Sequence, residues 1–198
     1  MIGSLLGALL AWGQLYGDEV IVSISKGYVF VLRCTPPIVL LFMVFYGLPE
    51  FLEWWLGLDV NGWSRTVFVI TAMTLLYAAT ISEVFKSAYL AVPNGQMEAG
   101  LSIGLTEFQT FQRILLPQAF RFALPNISNA ILNLLKDTAL AYTIGLADIM
   151  GAGYLLIGRN LGNYSLETYT AVAVVYWTLA LLLALGNQFL ENALETGR

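Results

Sequence analysis

Residues 98–117 read EAGLSIGLTEFQTFQRILLP, a polar segment that lies between two long apolar stretches of the chain. Two short runs with helical apolar spacing meet at Gly104, and glycine commonly follows the end of a helix. Thr106 and Gln109 have the spacing of a capping box, which begins a second helix. The segment therefore predicts a helix, a glycine corner and a second helix within a polar loop over residues 91–121, which we call the elbow.

The rest of the chain has the composition of an integral membrane protein. Of its 198 residues, 58% are hydrophobic and 11% are charged, and the mean hydropathy is +0.74, whereas soluble domains carry about 25% charged residues. We predict an all-α integral membrane fold that forms one transmembrane domain over residues 1–198, in contact with membrane lipid. Apolar runs predict about five transmembrane helices, with the elbow between the third and the fourth: residues 1–17, 28–48, 66–89, 122–146 and 168–190.

Proline and glycine refine these segments. Thr35-Pro36-Pro37 is expected to break the second span, and Pro117 is expected to end the second helix of the elbow. The spacing of Gly3 and Gly7 allows a neighbouring helix to approach closely. Polar residues predict loops over 18–27 and 148–167, and a Trp-rich segment at the membrane interface over 49–65.

The basic residues predict an orientation, because loops on the cytoplasmic side carry an excess of Lys and Arg. An elbow in the cytoplasm leaves two basic residues outside, Arg65 and Arg159. It places six on or near the cytoplasmic side: Lys26, Arg33, Lys86, Arg113, Arg121 and Arg198. We therefore expect the N-terminus outside and the C-terminus in the cytoplasm.

The elbow has two possible roles. It rests on lipid as an amphipathic helix, or it binds another protein. Helices that lie on lipid are usually rich in Lys and Arg on their polar face, whereas this segment has a single Arg113 against Glu98 and Glu107. Protein docking is therefore favoured.

Composition also excludes several classes of activity. The chain has no histidine and one cysteine, Cys34, so we expect no metal site and no catalytic triad that uses histidine. The net charge of −4 without a basic run argues against nucleic acid. No phosphate-binding loop of the GxxxxGK[ST] type is present. We expect no catalytic residue and no cofactor in this chain, although an integral-membrane enzyme and a non-transporting membrane scaffold or channel stay open as alternatives.

The spacing of the elbow residues resembles a known motif. Glu98-Ala99-Gly100, then Gly104, then Ile114-x-Leu116-Pro117 is similar to the EAA loop of permeases in ATP-binding-cassette (ABC) importers, with the pattern EAA-x3-G-x9-I-x-LP. The match departs only at Gly100, where the family usually has alanine, and a small residue is expected to keep the close packing.

Other segments resemble one branch of that family, the polar amino-acid permeases. They are Arg33-Cys34-Thr35-Pro36, Phe45-Tyr46-Gly47-Leu48-Pro49, Ser82-Glu83-Val84-Phe85-Lys86, Val92-Pro93-Asn94-Gly95-Gln96 and residues 133–140. Cys34 stands where the branch usually has glycine, which questions any glycine-specific backbone conformation there.

The resemblance implies the fold of a type I importer permease and a mechanism. Such permeases act in the cell membrane as pairs, with two copies or two related chains. The EAA loop docks on a separate ABC ATPase subunit, which binds ATP and Mg, and an extracytoplasmic solute-binding protein delivers the solute. The residues that would couple this chain to the ATPase are Glu98, Ala99, Gly100, Gly104, Ile114, Leu116 and Pro117.

Polar residues within the fourth predicted span are candidates for the solute path. A central Lys or Asp costs about 2.5–3.5 kcal/mol on insertion scales, so Lys136 and Asp137 each need a partner or water. Asn129 and Asn133 lie four apart and share a helical face. Two interpretations stay open: these groups, with Glu83, line a path for an amino-acid zwitterion, or they join helices to one another.

Overall fold

The computed structural model describes residues 1–195, and every regular element in that range is a helix. The all-α prediction is therefore confirmed, while residues 196–198, with the Arg198 that entered the orientation, lie outside the described range. The helices of the described part are α1 (Ile2–Tyr16), α2 (Glu19–Cys34), α3 (Pro37–Leu56), α4 (Arg65–Leu90), α5 (Gly95–Ser102), α6 (Glu107–Ile144), α7 (Ile149–Arg159) and α8 (Ser165–Glu195).

Length and apolar composition identify three helices that could cross a membrane, Pro37–Leu56, Arg65–Leu90 and Ser165–Phe189. The pair α6 and α7, bent by 43° at a short break, adds a fourth if the two are one broken span. At 15 residues, α1 is shorter than these helices. The span count from the sequence is thus approximate, but the segments predicted over 66–89 and 168–190 agree closely with α4 and α8.

The predicted bounds of the second span are wrong. The break at Thr35 and Pro36 is real, but it separates two complete helices, because Pro37 begins α3 as its first residue and proline suits that position. The predicted loop over 18–27 belongs largely to α2. The interfacial segment over 49–65 is still helical as far as Leu56, where Gly57 ends α3 with a left-handed backbone (φ +66°).

Two further predictions on helix ends are corrected. Pro117 does not end the elbow's second helix, because α6 continues through it to Ile144. The turn just before it, Phe111–Leu115, is a wide π-type turn, and this geometry relieves the clash between a proline ring and the carbonyl four residues earlier. The predicted loop over 148–167 contains α7, whose first turn is capped by the Asp148 carboxylate accepting from the Gly151 N–H at 2.8 Å.

The chain folds into two compact units, and both α4 and α6 run through the two. Unit A contains residues 1–30, 77–131 and those from 184 onward, and unit B contains residues 31–76 and 132–183. The core of unit B joins α3, α4 and the end of α6 through one buried set of side chains: Leu40, Leu41, Val44, Phe68, Val69, Ala72, Met73, Ala141 and Ile144.

Unit A contains the elbow and the glycine contact that the sequence predicts. Gly7 of α1 lies so close to α4 that a Cβ atom on it would be 3.0 Å from the Ala78 carbonyl oxygen and 3.2 Å from the Ser82 nitrogen. Gly3 is buried as well. Ala78 and Ser82 are completely buried, so the small residues of α1 allow this close packing, as the Gly3 and Gly7 spacing predicts.

Candidate functional site

The elbow turns at Gly104 as the sequence predicts. Gly104 has φ +87°, a backbone conformation that residues with a side chain rarely adopt. Its N–H donates to the Leu101 carbonyl at 3.0 Å, and the Leu105 N–H donates to the Gly100 carbonyl at 3.2 Å. These bonds satisfy carbonyls at the end of α5, so the corner is a closed hydrogen-bonded turn.

The second helix of the elbow begins with the predicted capping box. The Gln109 N–H donates to Thr106 Oγ1 at 3.2 Å, and the Thr106 N–H donates to Gln109 Oε1 at 3.0 Å. Both hydrogen bonds join residues only three positions apart, so the spacing of residue types is enough to predict them. The corner and the capping box together set the direction in which α6 leaves the elbow.

One side of the elbow packs into a small core formed by the elbow's own residues, with Tyr89 of α4 beside it. Val92, Leu115 and Ala119 form its buried centre, with Met97 and Ile114 partly buried beside them. The Gln118 side chain strengthens this packing, since its Nε2 donates to the Ile114 carbonyl at 2.9 Å and to Gln96 Oε1 at 3.3 Å. The predicted coupling residue Ile114 is therefore part of the support of the elbow.

The opposite side of the elbow exposes apolar side chains on both sides of the corner. Ile103 is 75% exposed, Phe108 is 71% exposed and Leu101 is 42% exposed. Exposed carboxylates from Glu98 and Glu107 flank them. We call Leu101, Ile103 and Phe108 the elbow surface, and an exposed apolar surface of this kind is typical of a site that binds another protein or a membrane.

The other predicted coupling residues divide between these sides. Glu98, Ala99, Leu116 and Pro117 are exposed, while Gly100 is buried. Gly100 faces Thr110, a residue with no exposed surface that sequence analysis did not single out. Phe108 is exposed, although it shares helical spacing with the partly buried Ile114 and the buried Leu115. Spacing along one helix shows which residues share a face, but not which face meets the protein.

A chain of aromatic contacts joins the elbow to two other helices. The Tyr16 and Tyr89 hydroxyls are hydrogen-bonded, and their rings are in edge contact at 5.9 Å between centroids. The Tyr89 ring is in turn 6.2 Å from the Phe111 ring. An apolar cavity of about 330 Å³ lies beside this chain, between α1, α4 and α6. Phe111 is thus an elbow residue whose ring contacts α4.

The candidate path residues on α6 form an exposed stripe. Asn129, Asn133 and Lys136 are all exposed, and their spacing of four and three residues places them on one helical face. Asp137 is half-buried at the edge of this face. Such a stripe requires water or a polar partner in a membrane.

Glu83 has a different environment on α4. Its carboxylate lies 3.4 Å from the Lys86 ammonium, which also donates to Gln14 Oε1 of α1 at 2.8 Å. Gln14 is buried, and its Nε2 has no hydrogen-bond partner among the described residues. This group of three polar side chains ties α1 to α4 inside unit A.

The described residues contain no cluster of three or more His, Cys, Asp or Glu side chains that could hold a metal ion. Cys34 is exposed at the end of α2. It is not among the residues with positive φ, so cysteine meets no strain where the resembling permeases have glycine.

The chain matches the family model of the binding-protein-dependent transport system inner membrane component over residues 3–196. It is 36% identical to the probable amino-acid permease protein YxeN of Bacillus subtilis (strain 168), over 98% of this chain and 83% of the relative. It is 38% identical to the L-cystine transport system permease protein TcyL of the same organism, over 92% of this chain and 75% of the relative.

Among solved structures, the fold is similar to one described as an amino acid ABC transporter with histidines. The TM-score is 0.83 at 24% sequence identity, and the match covers 97% of this chain and 85% of the other. At this level of identity the likeness shows the fold.

Proposed function

Since this chain belongs to the family of binding-protein-dependent transport system inner membrane components, we propose that it carries a polar amino acid into the cell. It acts as the transmembrane subunit of an ABC importer in the cytoplasmic membrane. The observation that carries the mechanism is the elbow, where a glycine corner presents an apolar surface on the outside of a firmly packed turn. Neither alternative from the sequence, an integral-membrane enzyme or a scaffold, is favoured by the family.

The substrate class is supported by two relatives. One is named a probable amino-acid permease and the other an L-cystine transport permease. Cystine carries ammonium and carboxylate groups at both ends, so a path for such a solute needs polar groups inside the membrane. The exposed stripe of Asn129, Asn133, Lys136 and Asp137 supplies amides and both signs of charge. We assign the solute path to this stripe, and we keep Glu83 as a further candidate.

The elbow surface is the proposed contact with a separate ATPase subunit, which binds ATP and Mg. Ile103 and Phe108 lie on either side of Gly104 and are mostly exposed, and fully burying such a side chain contributes about 1.5–3 kcal/mol. The buried side of the elbow is held by Leu115 and Ala119. A movement of the ATPase can therefore be transmitted through a short stiff element to α6.

The family name, which refers to a binding protein, supports a further partner outside the membrane. A solute-binding protein delivers the amino acid on the outer side, where the predicted orientation also places the N-terminus. A second permease chain completes the path, and the elbow and the C-terminus lie in the cytoplasm. ATP binding and the loaded binding protein then shift the population between inward-open and outward-open states by their different affinities for the two.

The test replaces the elbow surface without disturbing its support. Phe108→Glu and Ile103→Glu place a carboxylate on exposed positions, so we expect both variants to fold and to insert at normal levels. Each variant is expressed with its ATPase and binding protein, and co-elution of the ATPase and ATP-driven uptake of labelled cystine are measured. Leu166→Glu is the matched control, because Leu166 is 78% exposed and belongs to α8 in unit B, outside the elbow sequence.

We expect the two elbow variants to lose both co-elution and uptake, and the control to keep them. Full co-elution and full uptake in Phe108→Glu and Ile103→Glu would overturn the docking role of the elbow. If the unchanged protein with its partners takes up no amino acid, the proposed transport function itself is overturned.

A further inference from the structure

The apolar cavity of about 330 Å³ lies inside unit A, where α1, α4 and the beginning of α6 meet. Four buried alanines form its floor: Ala11, Ala88, Ala119 and Ala123. Because these side chains are small and lie on three neighbouring helices, they leave a hollow between the helices. Neither the proposed solute path nor the elbow surface uses this space, so the proposed function gives it no occupant.

Water does not suit this cavity. Tyr16 and Tyr89 line it, but their hydroxyls are hydrogen-bonded to each other. Among the described residues that line the cavity, the one other polar side-chain atom is the indole nitrogen of Trp12, which is an exposed residue. A buried water needs about two to four polar partners, and cavities with apolar walls stay dry and take apolar ligands.

Large side chains surround the open end of the cavity. Trp12, Leu116 and Phe120 line it and are exposed. Trp12 belongs to the first predicted span, and Phe120 lies just before the fourth, which is predicted to begin at residue 122. Trp is also enriched where a bilayer meets water. The cavity therefore opens toward lipid, near the level where the bilayer meets the elbow.

We propose that the cavity holds one acyl chain of a membrane phospholipid, which enters past Trp12 and Phe120 and rests on the alanine floor. The volume decides against a protein helix, because one helical turn about 10 Å wide and 5.4 Å long occupies roughly 420 Å³. A lipid tail is thinner, flexible and abundant beside the protein. The walls of an unfilled cavity also lack dispersion contacts, which a tail supplies.

The bound tail contacts the support of the elbow. Phe111 and Ala119 line the cavity. Ala119 also belongs to the buried centre of the elbow, and Phe111 packs against that centre. The Phe111 ring contacts Tyr89 of α4 as well. A tail in the cavity therefore restrains the elbow against α4, and an importer without lipid should have a looser elbow.

Two variants close the cavity in different ways. Ala88→Leu places a larger side chain on its floor. Ala8→Phe narrows it from an exposed lining position of α1, where the larger ring does not overpack a core. Ala91→Leu and Leu9→Phe are the matched controls, because both positions are exposed and neither lines the cavity.

The complete importer is placed in bilayer discs with a phospholipid that carries a photoactivatable group on its acyl chain. After illumination, the labelled residues are mapped by mass spectrometry. We expect labels on the buried Ala88 or Ala123 of the unchanged protein, and about tenfold less label at these positions in Ala88→Leu and Ala8→Phe. The controls should label like the unchanged protein. Leu182, an exposed residue of α8, gives the reference signal for ordinary contact with lipid.

Hydrogen exchange tests the effect on the elbow. The importer is stripped of lipid in detergent, and the same phospholipid without the photoactivatable group is then returned. Backbone exchange at Phe111 and Leu115 should become slower in the unchanged protein and in both controls. It should not change in Ala88→Leu, because the leucine side chain already occupies the space of the tail.

Four results would overturn the inference. Labels confined to exposed residues such as Leu182 would show that no tail enters. Equal labelling of Ala123 in Ala88→Leu, Ala8→Phe and the unchanged protein would place the tail elsewhere. Exchange at Phe111 that ignores the lipid would remove the link to the elbow. A photoactivatable free fatty acid that labels the alanines more strongly than the phospholipid would assign the cavity to that ligand.

The lipid site and the proposed function fail independently. Labelling and hydrogen exchange are measured without any transport. Normal labelling of Ala88 or Ala123 in an importer that takes up no amino acid would therefore overturn the proposed function and leave the lipid site in place.

Discussion

Gly100 and Thr110 lie face to face where the two helices of the elbow meet. A Cβ atom on Gly100 would lie 2.7 Å from Thr110 Oγ1 and 3.1 Å from Thr110 Cβ. Thr110 has no exposed surface, and its hydroxyl has no hydrogen-bond partner among the described residues. The resembling permeases usually have alanine where this chain has Gly100. In this structure the Thr110 side chain leaves little room for the methyl group of an alanine at position 100.

We therefore expect Gly100→Ala to destabilise this protein, although alanine is the usual residue of the motif. Overpacking of this kind costs about 1–3 kcal/mol, which exceeds the roughly 1 kcal/mol that alanine gains over glycine in a helix. The double variant Gly100→Ala with Thr110→Ala should regain stability, because it removes the crowded atoms together with an unpaired hydroxyl. Thermal unfolding in detergent measures both.

Gly95→Ala is the control for that experiment, since Gly95 lies in the same helix with no atom near its Cβ position. It should be neutral or slightly stabilising. If Gly100→Ala behaves like Gly95→Ala, the contact with Thr110 does not limit the packing of the elbow.

Gly104→Asp is expected to leave the protein folded and inserted but to uncouple ATP hydrolysis from uptake. No atom lies within 4 Å of its Cβ position, so the cost inside this chain is the backbone strain at positive φ, about 1–2 kcal/mol. The added carboxylate points into the space that the docked ATPase would fill. ATPase activity and uptake are compared in reconstituted vesicles.

Gly162→Asp is a matched control for this variant, because Gly162 has φ +84° and an equally open environment in the loop before α8. It introduces the same strain and charge away from the elbow. Equal loss of coupling in the two variants would trace the defect to strain alone.

Arg65 closes the end of α6 in unit B. Its Nη1 donates to the Gly145 carbonyl at 2.7 Å. Gly145 follows the 3-10 helical segment Thr138–Ile144 and ends it with a left-handed backbone (φ +78°). We expect Arg65→Ala to lower the free energy of unfolding by about 0.5–1.5 kcal/mol. Arg159→Ala should have little effect, because Arg159 makes no such bond to the described side chains. Equal melting temperatures for the two variants would contradict this role.

Two substitutions of Gln14, which accepts a hydrogen bond from the Lys86 ammonium, should change the melting temperature in opposite directions. Gln14→Leu removes the ammonium's 2.8 Å acceptor, which leaves a partly buried charge under-satisfied at a cost of about 1–3 kcal/mol. Gln14→Glu keeps an acceptor for the ammonium, turns the bond into an ion pair and removes the unpaired Nε2. The melting temperature should fall for leucine and hold or rise for glutamate. A similar fall in both would show that packing, and not the bond to Lys86, determines the effect.

The sequence was most informative where structure depends on neighbours along the chain. The corner at Gly104 and the capping box of Thr106 and Gln109 depend on hydrogen bonds that span only a few residues, so residue types and spacing were enough to place them. The break at Pro36 was found for the same reason. The ends of the two helices around Pro36 were not predicted, because a proline at position 37 fits both a kink within one helix and the first residue of a new helix.

By itself, the sequence determined a helical membrane protein with a glycine-cornered elbow and the family to which it belongs. Only the tertiary structure decided that Phe108 faces outward while Ile114 packs inward, that α6 passes through Pro117, and that Gly100 has Thr110 as its neighbour. The reason is physical: backbone hydrogen bonding is local and leaves its pattern in adjacent residues. The side that a helix buries, and the room beside each residue, depend on the other segments of the chain that pack against it.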